Sequence, residues 1–236
     1  MRLSSTAIFV LASFAVSACV PAPTTYLKPF AVGGQHTKSI CAGSAGPEDR
    51  LVLAGPDGVM IGVESYSLEE LSAVMRTSRM PNTSPSDRAG IGFSVILHIP
   101  AGQIVRFASR SFFLTDQATQ KVHQVEATSI LDFADARVLL DGLVASMQSG
   151  DGPRRVRQMD IRAPLAGVRQ PDWFVAPRWF GKLLDHPYYV IVPFEGVTCS
   201  ECLLRVPPLE VASKTFQFPE ITFRLVKEWV LWPLNC

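Results

Sequence analysis

The sequence contains no long apolar segment beyond its amino-terminal run from Leu3 to Ala15. No later stretch approaches the roughly 20 continuous apolar residues that a helix needs to cross a bilayer, so we expect no membrane-spanning helix there. The sequence also lacks the GxSxG and SxxK motifs of hydrolases, a Walker loop and the GxGxxG fingerprint of dinucleotide-binding enzymes. These absences weigh against an enzyme, although catalytic groups that are distant in sequence leave no such motif.

An excess of either charge is missing as well. The chain has 22 Lys and Arg residues against 21 Asp and Glu residues, and Arg2 is the single charged residue of the first 18. A neutral protein has no net attraction to nucleic acid, so we expect no nucleic-acid partner. The four histidines are scattered and form no HExxH motif. His98 and His123 meet only if their strands are neighbours, and we expect neither a metal site nor a cofactor.

The amino-terminal segment has the features of an export signal: Arg2, then the uncharged run, then small residues before a candidate cleavage site after Ala18. Val16-Ser17-Ala18-Cys19 resembles the bacterial lipobox, in which an aliphatic residue and two small residues precede a cysteine. The resemblance implies that Cys19 becomes the first mature residue and carries a diacylglycerol and an acyl chain such as palmitate. Two or three chains anchor a protein, since each buried methylene contributes about 0.8 kcal/mol. Cleavage after Ala18 without lipidation is the alternative.

The residue after Cys19 bears on the location of the protein. In enteric-type lipoproteins an aspartate at this position retains the protein in the inner membrane, so Val20 favours the outer membrane, with the domain facing the periplasm. The inner membrane and a soluble periplasmic or secreted form are the alternatives. Two prolines and two threonines in residues 20–25 predict an extended tether. We therefore divide the chain into a signal peptide (1–18), a lipidated tether (19–25) and a single domain (26–236).

Four further cysteines follow the lipobox, namely Cys41, Cys199, Cys202 and Cys236. An even number in an exported protein indicates two disulfides, with three connectivities to choose from. We favour Cys41–Cys236 and Cys199–Cys202, since the first would tie the amino-terminal region to the last residue. A redox-active CxxC pair sits at the start of a helix. Because a strand-like segment, 203–206, follows Cys202, we predict a structural disulfide.

Short segments of strand character predict an all-β domain. Residues 91–99 alternate between apolar residues and Gly92, Ser94, Ile96 and His98. Residues 51–63 predict a hairpin whose turn is Gly55-Pro56-Asp57-Gly58. Strands at a spacing of about 8–12 residues indicate a β-sandwich, of which an immunoglobulin-like domain is one form. Further strands are predicted at 104–107, 111–114, 121–127, 188–192, 203–206, 221–226 and 229–232.

One or two short helices are expected beside these strands. Ser67 and Glu70 form a capping box for a helix over about 68–77. Residues 134–147 fit a helical face, but Gly142 within them costs about 1 kcal/mol, and whether this segment is a helix stays open.

A basic and aromatic segment is the best candidate for a ligand site. Residues 150–182 contain seven Lys and Arg residues against three Asp residues. Guanidinium groups pair with phosphate and indole rings stack on sugars or cations, which predicts a site for an anionic glycan, lipopolysaccharide phosphate or a partner protein. The alternative is that the aromatic residues pin a loop to the core while the arginines lie in water. The candidate residues are Arg154, Arg155, Arg157, Trp173, Arg178 and Trp179.

Taken together, these patterns favour a non-catalytic envelope lipoprotein that binds another envelope protein, as an assembly subunit, an inhibitor or a secretion-linked immunity factor does. A glycan- or lipopolysaccharide-binding module is the second interpretation, and an envelope hydrolase is the third.

Overall fold

The computed structural model describes residues 20–38, 49–68, 89–132, 157–167 and 188–232. These ranges form strands and one 3-10 turn, Pro56–Gly58, and hold no helix of seven residues or more. The strands are β1 (Val20–Phe30), β2 (Gln35–Lys38), β3 (Asp49–Ala54), β4 (Met60–Ser67), β5 (Gly90–His98), β6 (Ile104–Phe107), β7 (Ser111–Asp116), β8 (Val122–Glu126), β9 (Ser129–Asp132), β10 (Arg157–Asp160), β11 (Leu165–Ala166), β12 (Tyr188–Glu195), β13 (Glu201–Arg205), β14 (Leu209–Val211), β15 (Lys214–Phe216) and β16 (Ile221–Trp232).

The described strands form three antiparallel sheets. The five-stranded sheet has the order β1-β16-β13-β7-β8, the seven-stranded sheet β10-β9-β12-β5-β4-β3-β2, and the four-stranded sheet β11-β6-β14-β15. The all-β class and the sandwich-like packing predicted from strand spacing are confirmed. An immunoglobulin domain has two sheets, whereas three are found in the described part of this chain.

Aromatic side chains join the sheets across the core. Phe93 of β5 lies 4.7 Å from Phe223 of β16 and 5.8 Å from Phe194 of β12, measured between ring centroids. The first contact packs the seven-stranded sheet against the five-stranded sheet. Phe107 of β6 and Phe112 of β7, 6.3 Å apart, bring the four-stranded sheet to the same core. Because all five rings are buried, apolar contact between the sheets stabilises the sandwich.

Strand β5 shows the alternation that the sequence predicted, and both of its faces are buried. Val95 and Leu97 lie in the core. On the opposite face Ser94 is 2% exposed and His98 is 8% exposed. Strand β5 lies between β12 and β4, and such central strands are covered on both sides more often than edge strands are.

The hairpin around Pro56-Asp57-Gly58 is confirmed as β3 and β4. Asp57 and Gly58 have φ angles of 54° and 79°, the left-handed conformation that asparagine, aspartate and glycine tolerate best. The predicted segments 104–107, 111–114, 121–127, 188–192 and 203–206 correspond to β6, β7, β8, β12 and β13; the bounds of β6 agree, and the ends of the other four shift by up to three residues. Strands β1, β2, β9, β10, β11, β14 and β15 were not predicted.

The prediction of two strands at 221–226 and 229–232 is wrong. Residues 221–232 form one continuous strand, β16. Within it, the Glu228 carboxylate accepts hydrogen bonds from Tyr26 Oη (2.9 Å) and Lys28 Nζ (2.8 Å) of β1. These cross-strand partners let a charged residue lie inside a strand.

The predicted helices fall almost entirely outside the described residues. This holds for 134–147 and for all of 68–77 except Leu68. In the ranges that the structure covers, no helix is long and apolar enough to cross a membrane.

Candidate functional site

Most of the predicted site residues lie outside the described residues. They are Cys19, Cys41, Arg154, Arg155, Trp173, Arg178, Trp179 and Cys236. Arg157 is the first residue of β10, where it pairs with Asp132 of β9. The lipobox, the Cys41–Cys236 disulfide and the glycan- or lipopolysaccharide-binding patch therefore stay predictions.

Cys199 and Cys202 are joined by a disulfide, with their Cα atoms 6.0 Å apart. Cys202 is fully buried in β13 and lies opposite Phe223 of β16. Cys199 precedes the strand and packs against the core. The pair therefore leads into a strand, away from any helix start in the described chain. The environment of the Cys199–Cys202 disulfide is that of a structural disulfide, because a redox-active pair needs an accessible sulfur beside a helix N-terminus.

A buried carboxylate forms the main polar cluster of the described residues. Glu64 of β4 is 3% exposed, and its two oxygens accept hydrogen bonds from Arg50 Nε and from Tyr66 Oη. The Arg50 stem passes over Gly62, where an added Cβ would lie 2.8 Å from Arg50 Cδ. Because both carboxylate oxygens are bonded, the cluster is complete without a ligand. We assign it the role of holding β3 to β4.

The sequence contained an unused indication of this cluster. A hairpin centred on Pro56–Gly58 pairs Leu51 with Val63, so Arg50 and Glu64 come to lie opposite each other. Two opposite charges placed across a hairpin predict an ion pair. This ion pair was not among the predictions from the sequence.

The two histidines that were candidates for a contact lie on different sheets. His98 belongs to β5 of the seven-stranded sheet and His123 to β8 of the five-stranded sheet. Nδ1 of His98 is buried and has no hydrogen-bond partner within the described residues. The same residues contain no group of three His, Cys, Asp or Glu side chains that could hold a metal ion.

The β1 edge of the five-stranded sheet is closed. Residues 20–25, predicted as an extended tether, are extended and pair with β16 from Val20–Trp232 onward. Ser65 Oγ of β4 donates a 2.6 Å hydrogen bond to the carbonyl of Leu27, so odd-numbered backbone groups of β1 point away from β16. Prolines 21, 23 and 29 are all odd-numbered. Their backbone nitrogens, which carry no N–H group, therefore face the outer edge of β1. Proline is tolerated at such an edge and blocks further pairing there.

The β8 edge of the same sheet has no second neighbouring strand among the described residues. Among the described strands β8 pairs only with β7. Ala127 N donates to Arg110 O, and Lys121 O accepts from Asp116 N, both at 3.0 Å, so odd-numbered backbone groups point toward β7. The N–H and C=O groups of Val122, Gln124 and Glu126 therefore point outward. This edge contains no proline, Val122 is 57% exposed on it, and exposed Glu126 places one charge at its end.

Comparison with known proteins gives no family. No family model and no curated protein match the chain. A solved structure described as the X-ray structure of Northeast Structural Genomics Consortium target SoR45 is 9% identical, with a TM-score of 0.25, and the match covers 75% of this chain and 89% of that chain. A likeness at this level supports no inference about function.

Proposed function

We propose that this chain is an envelope lipoprotein, anchored through Cys19 to the periplasmic leaflet of the outer membrane, that binds a protein partner without catalysis. The partner adds an extended segment to the open edge of β8. The lipobox resemblance supports the anchor. The observation that supports the binding role is the contrast between the two edges of one sheet: prolines block β1, whereas β8 contains no proline and has no second neighbouring strand among the described residues.

The edge of β8 has no second neighbouring strand among the described residues, and such an edge is a ready template for another strand. Natural sheets cover, charge or bend their edges, because unpaired N–H and C=O groups in a row recruit other chains. In β8 three residues present such groups, and the exposed side chain of Val122 lies beside them. Main-chain hydrogen bonds would supply affinity, and alternate side chains would supply specificity. The expected partner segment is therefore extended and carries an apolar residue opposite Val122.

Site-specific photo-crosslinking tests the proposal in intact cells. A benzoylphenylalanine at Gln124, whose backbone faces the open edge, should give a discrete adduct with one envelope protein. The same group at Glu220, an exposed residue before β16, is the control. Equal adducts at the two positions, or none at Gln124, would exclude β8 as the binding edge.

A proline substitution distinguishes the contribution of the Gln124 backbone N–H to partner binding from that of the Gln124 side chain. Gln124→Pro removes an outward N–H that β7 does not use, and Gln124→Ala keeps that N–H while deleting the same side chain, with its 3.2 Å bond to Ser111 Oγ. We expect loss of the partner in Gln124→Pro and retention in Gln124→Ala. If Gln124→Pro does not fold, Val122→Lys tests the same edge, since an edge lysine opposes strand addition. Retention of the partner in a folded Gln124→Pro or in Val122→Lys would contradict strand addition.

A further inference from the structure

The end of β16 extends beyond the sheet to which it belongs. Strand β13 pairs with residues 221–224 of β16, whereas β1 pairs with all of residues 222–232. In the described chain, residues 225–232 therefore pair with residues 20–27, and Leu225 N also donates to the Ser200 carbonyl just before β13 (2.8 Å). We call these two segments the β1–β16 ribbon.

The described side chains put large exposed apolar residues on one face of the ribbon, interrupted by the paired Thr25 and Lys227, and polar contacts on the other face. Leu225 is 54% exposed and Trp229 is 73% exposed, and both lie on the same face because they are four residues apart in a strand. Exposed Lys227 lies between them, and exposed Pro23 lies opposite Trp229. On the other face the Glu228 carboxylate is bonded to β1. The exposed apolar residues thus continue the row that begins with Ile221 and Phe223 in the core.

This apolar face lies next to the predicted lipid. Strand β1 begins at Val20, the residue after Cys19, so no slack chain separates the ribbon from the anchor. Trp229 is paired with Pro23, four residues after Cys19, which corresponds to about 13 Å along the strand. Acyl chains inserted in a bilayer therefore hold Trp229 within reach of the headgroups.

We propose that the apolar face of the β1–β16 ribbon docks on the membrane surface, an inference that rests on the lipid anchor proposed above. Trp229 and Leu225 enter the interfacial region, where tryptophan is enriched because its ring is apolar and its N–H remains hydrated. Lys227 between them contacts anionic headgroups. The anchor and the ribbon together fix the orientation of the domain, which a lipid on a flexible tether would not do.

The β8 edge lies at the opposite side of this sheet from the anchored strand β1. Strand β8 lies four strand positions from β1 in the same sheet, roughly 19 Å away at the usual strand spacing. With β1 at the membrane, β8 is held away from the anchored strand, where the partner segment can pair with it.

Vesicle binding by the unlipidated chain tests docking without the anchor. The mature chain carrying Cys19→Ser is mixed with vesicles of phosphatidylcholine and phosphatidylglycerol, and the bound fraction is measured by sedimentation. We expect Trp229→Ser with Leu225→Ser to lower the partition coefficient about tenfold or more. Ile104→Ser, which removes a 63% exposed apolar residue from the four-stranded sheet, should leave it unchanged. Circular dichroism verifies that each variant is folded.

The outcomes separate docking from anchoring. Undetectable vesicle binding by the Cys19→Ser chain, or an equal loss in all variants, would overturn docking. A ribbon variant that changes dimerisation in analytical ultracentrifugation and leaves vesicle binding unchanged would assign this face to a second copy instead. Palmitate labelling of the chain with an intact Cys19 tests the anchor independently. Absent labelling together with ribbon-dependent vesicle binding would refute the anchor alone.

Discussion

The hydroxyl of Ser65 donates a hydrogen bond of 2.6 Å to the carbonyl oxygen of Leu27. The bond joins β4 of the seven-stranded sheet to β1 of the five-stranded sheet, at the outer edge of β1. The Leu27 carbonyl points away from β16, so the β1–β16 ladder does not use it. The strand that follows Cys19 is therefore fastened to the opposite sheet of the sandwich, so a lipid on Cys19 would act on the folded body directly.

Removing the Ser65 hydroxyl should weaken this attachment. Ser65→Ala leaves the Leu27 carbonyl without that donor, and we expect a loss of about 1 kcal/mol in the free energy of unfolding. Urea denaturation followed by circular dichroism measures it. Ser200→Ala, at an exposed serine, should change the value by less than about 0.5 kcal/mol. Equal effects of the two substitutions would show that the Ser65 bond does not hold β1.

The buried carboxylate of Glu64 predicts a larger effect. Glu64→Ala removes an acceptor that Arg50 and Tyr66 share, and takes the carboxylate away from the charge of Arg50, whose side chain is 25% exposed. We expect a destabilisation of about 3 kcal/mol, measured by chemical denaturation. Glu210→Ala removes the partner of Arg106 in a more exposed pair and should cost about 1 kcal/mol or less. Similar losses in the two variants would contradict the structural role assigned to Glu64.

The Cys199–Cys202 bridge should contribute modestly to stability. It closes a loop of sequence separation 3, for which the loss of chain entropy in the unfolded state corresponds to about 2 kcal/mol. Dithiothreitol should therefore lower the Tm of the natural chain more than that of Cys199→Ser, in which only other disulfides remain to be reduced. An identical response of both proteins, followed by calorimetry, would mean that the bridge does not stabilise the fold.

Asp116 predicts a dependence of stability on pH at the β7–β8 turn. The Thr119 hydroxyl (2.7 Å) and the Ala118 N–H (3.0 Å) donate to its carboxylate and hold its pKa below the ordinary value. A lowered pKa in the folded state stabilises the protein above the unfolded pKa, and this contribution is lost as the pH falls through the folded pKa. Below about pH 4 the natural chain should therefore lose stability more steeply than Asp116→Asn. Parallel curves of Tm against pH for the two proteins would show that the turn does not depend on this charge.

The sequence was sufficient to predict those elements whose conformation depends on residues that are close together along the chain. The hairpin at Pro56–Gly58 follows from the conformations that proline, aspartate and glycine prefer, and β5 follows from its alternation. The continuity of β16 through residues 227–228 was not predicted, because the groups that accommodate Glu228 lie in β1; Tyr26, for example, is 202 residues away from it. Short strands such as β14 and β15 were not predicted either, because they are too brief to show a period.

By itself, the sequence determined the all-β class, most of the longer strands and the turn chemistry, since each depends on residues within about ten positions of one another. Only the tertiary structure decided which sheet each strand joins, that the segment after Cys19 is an edge strand, and that β8 has no second neighbouring strand in the described part of the chain while prolines block the outer edge of β1. Those features depend on pairing between distant segments such as Val20 and Trp232, and no local preference encodes which remote strand offers a matching edge.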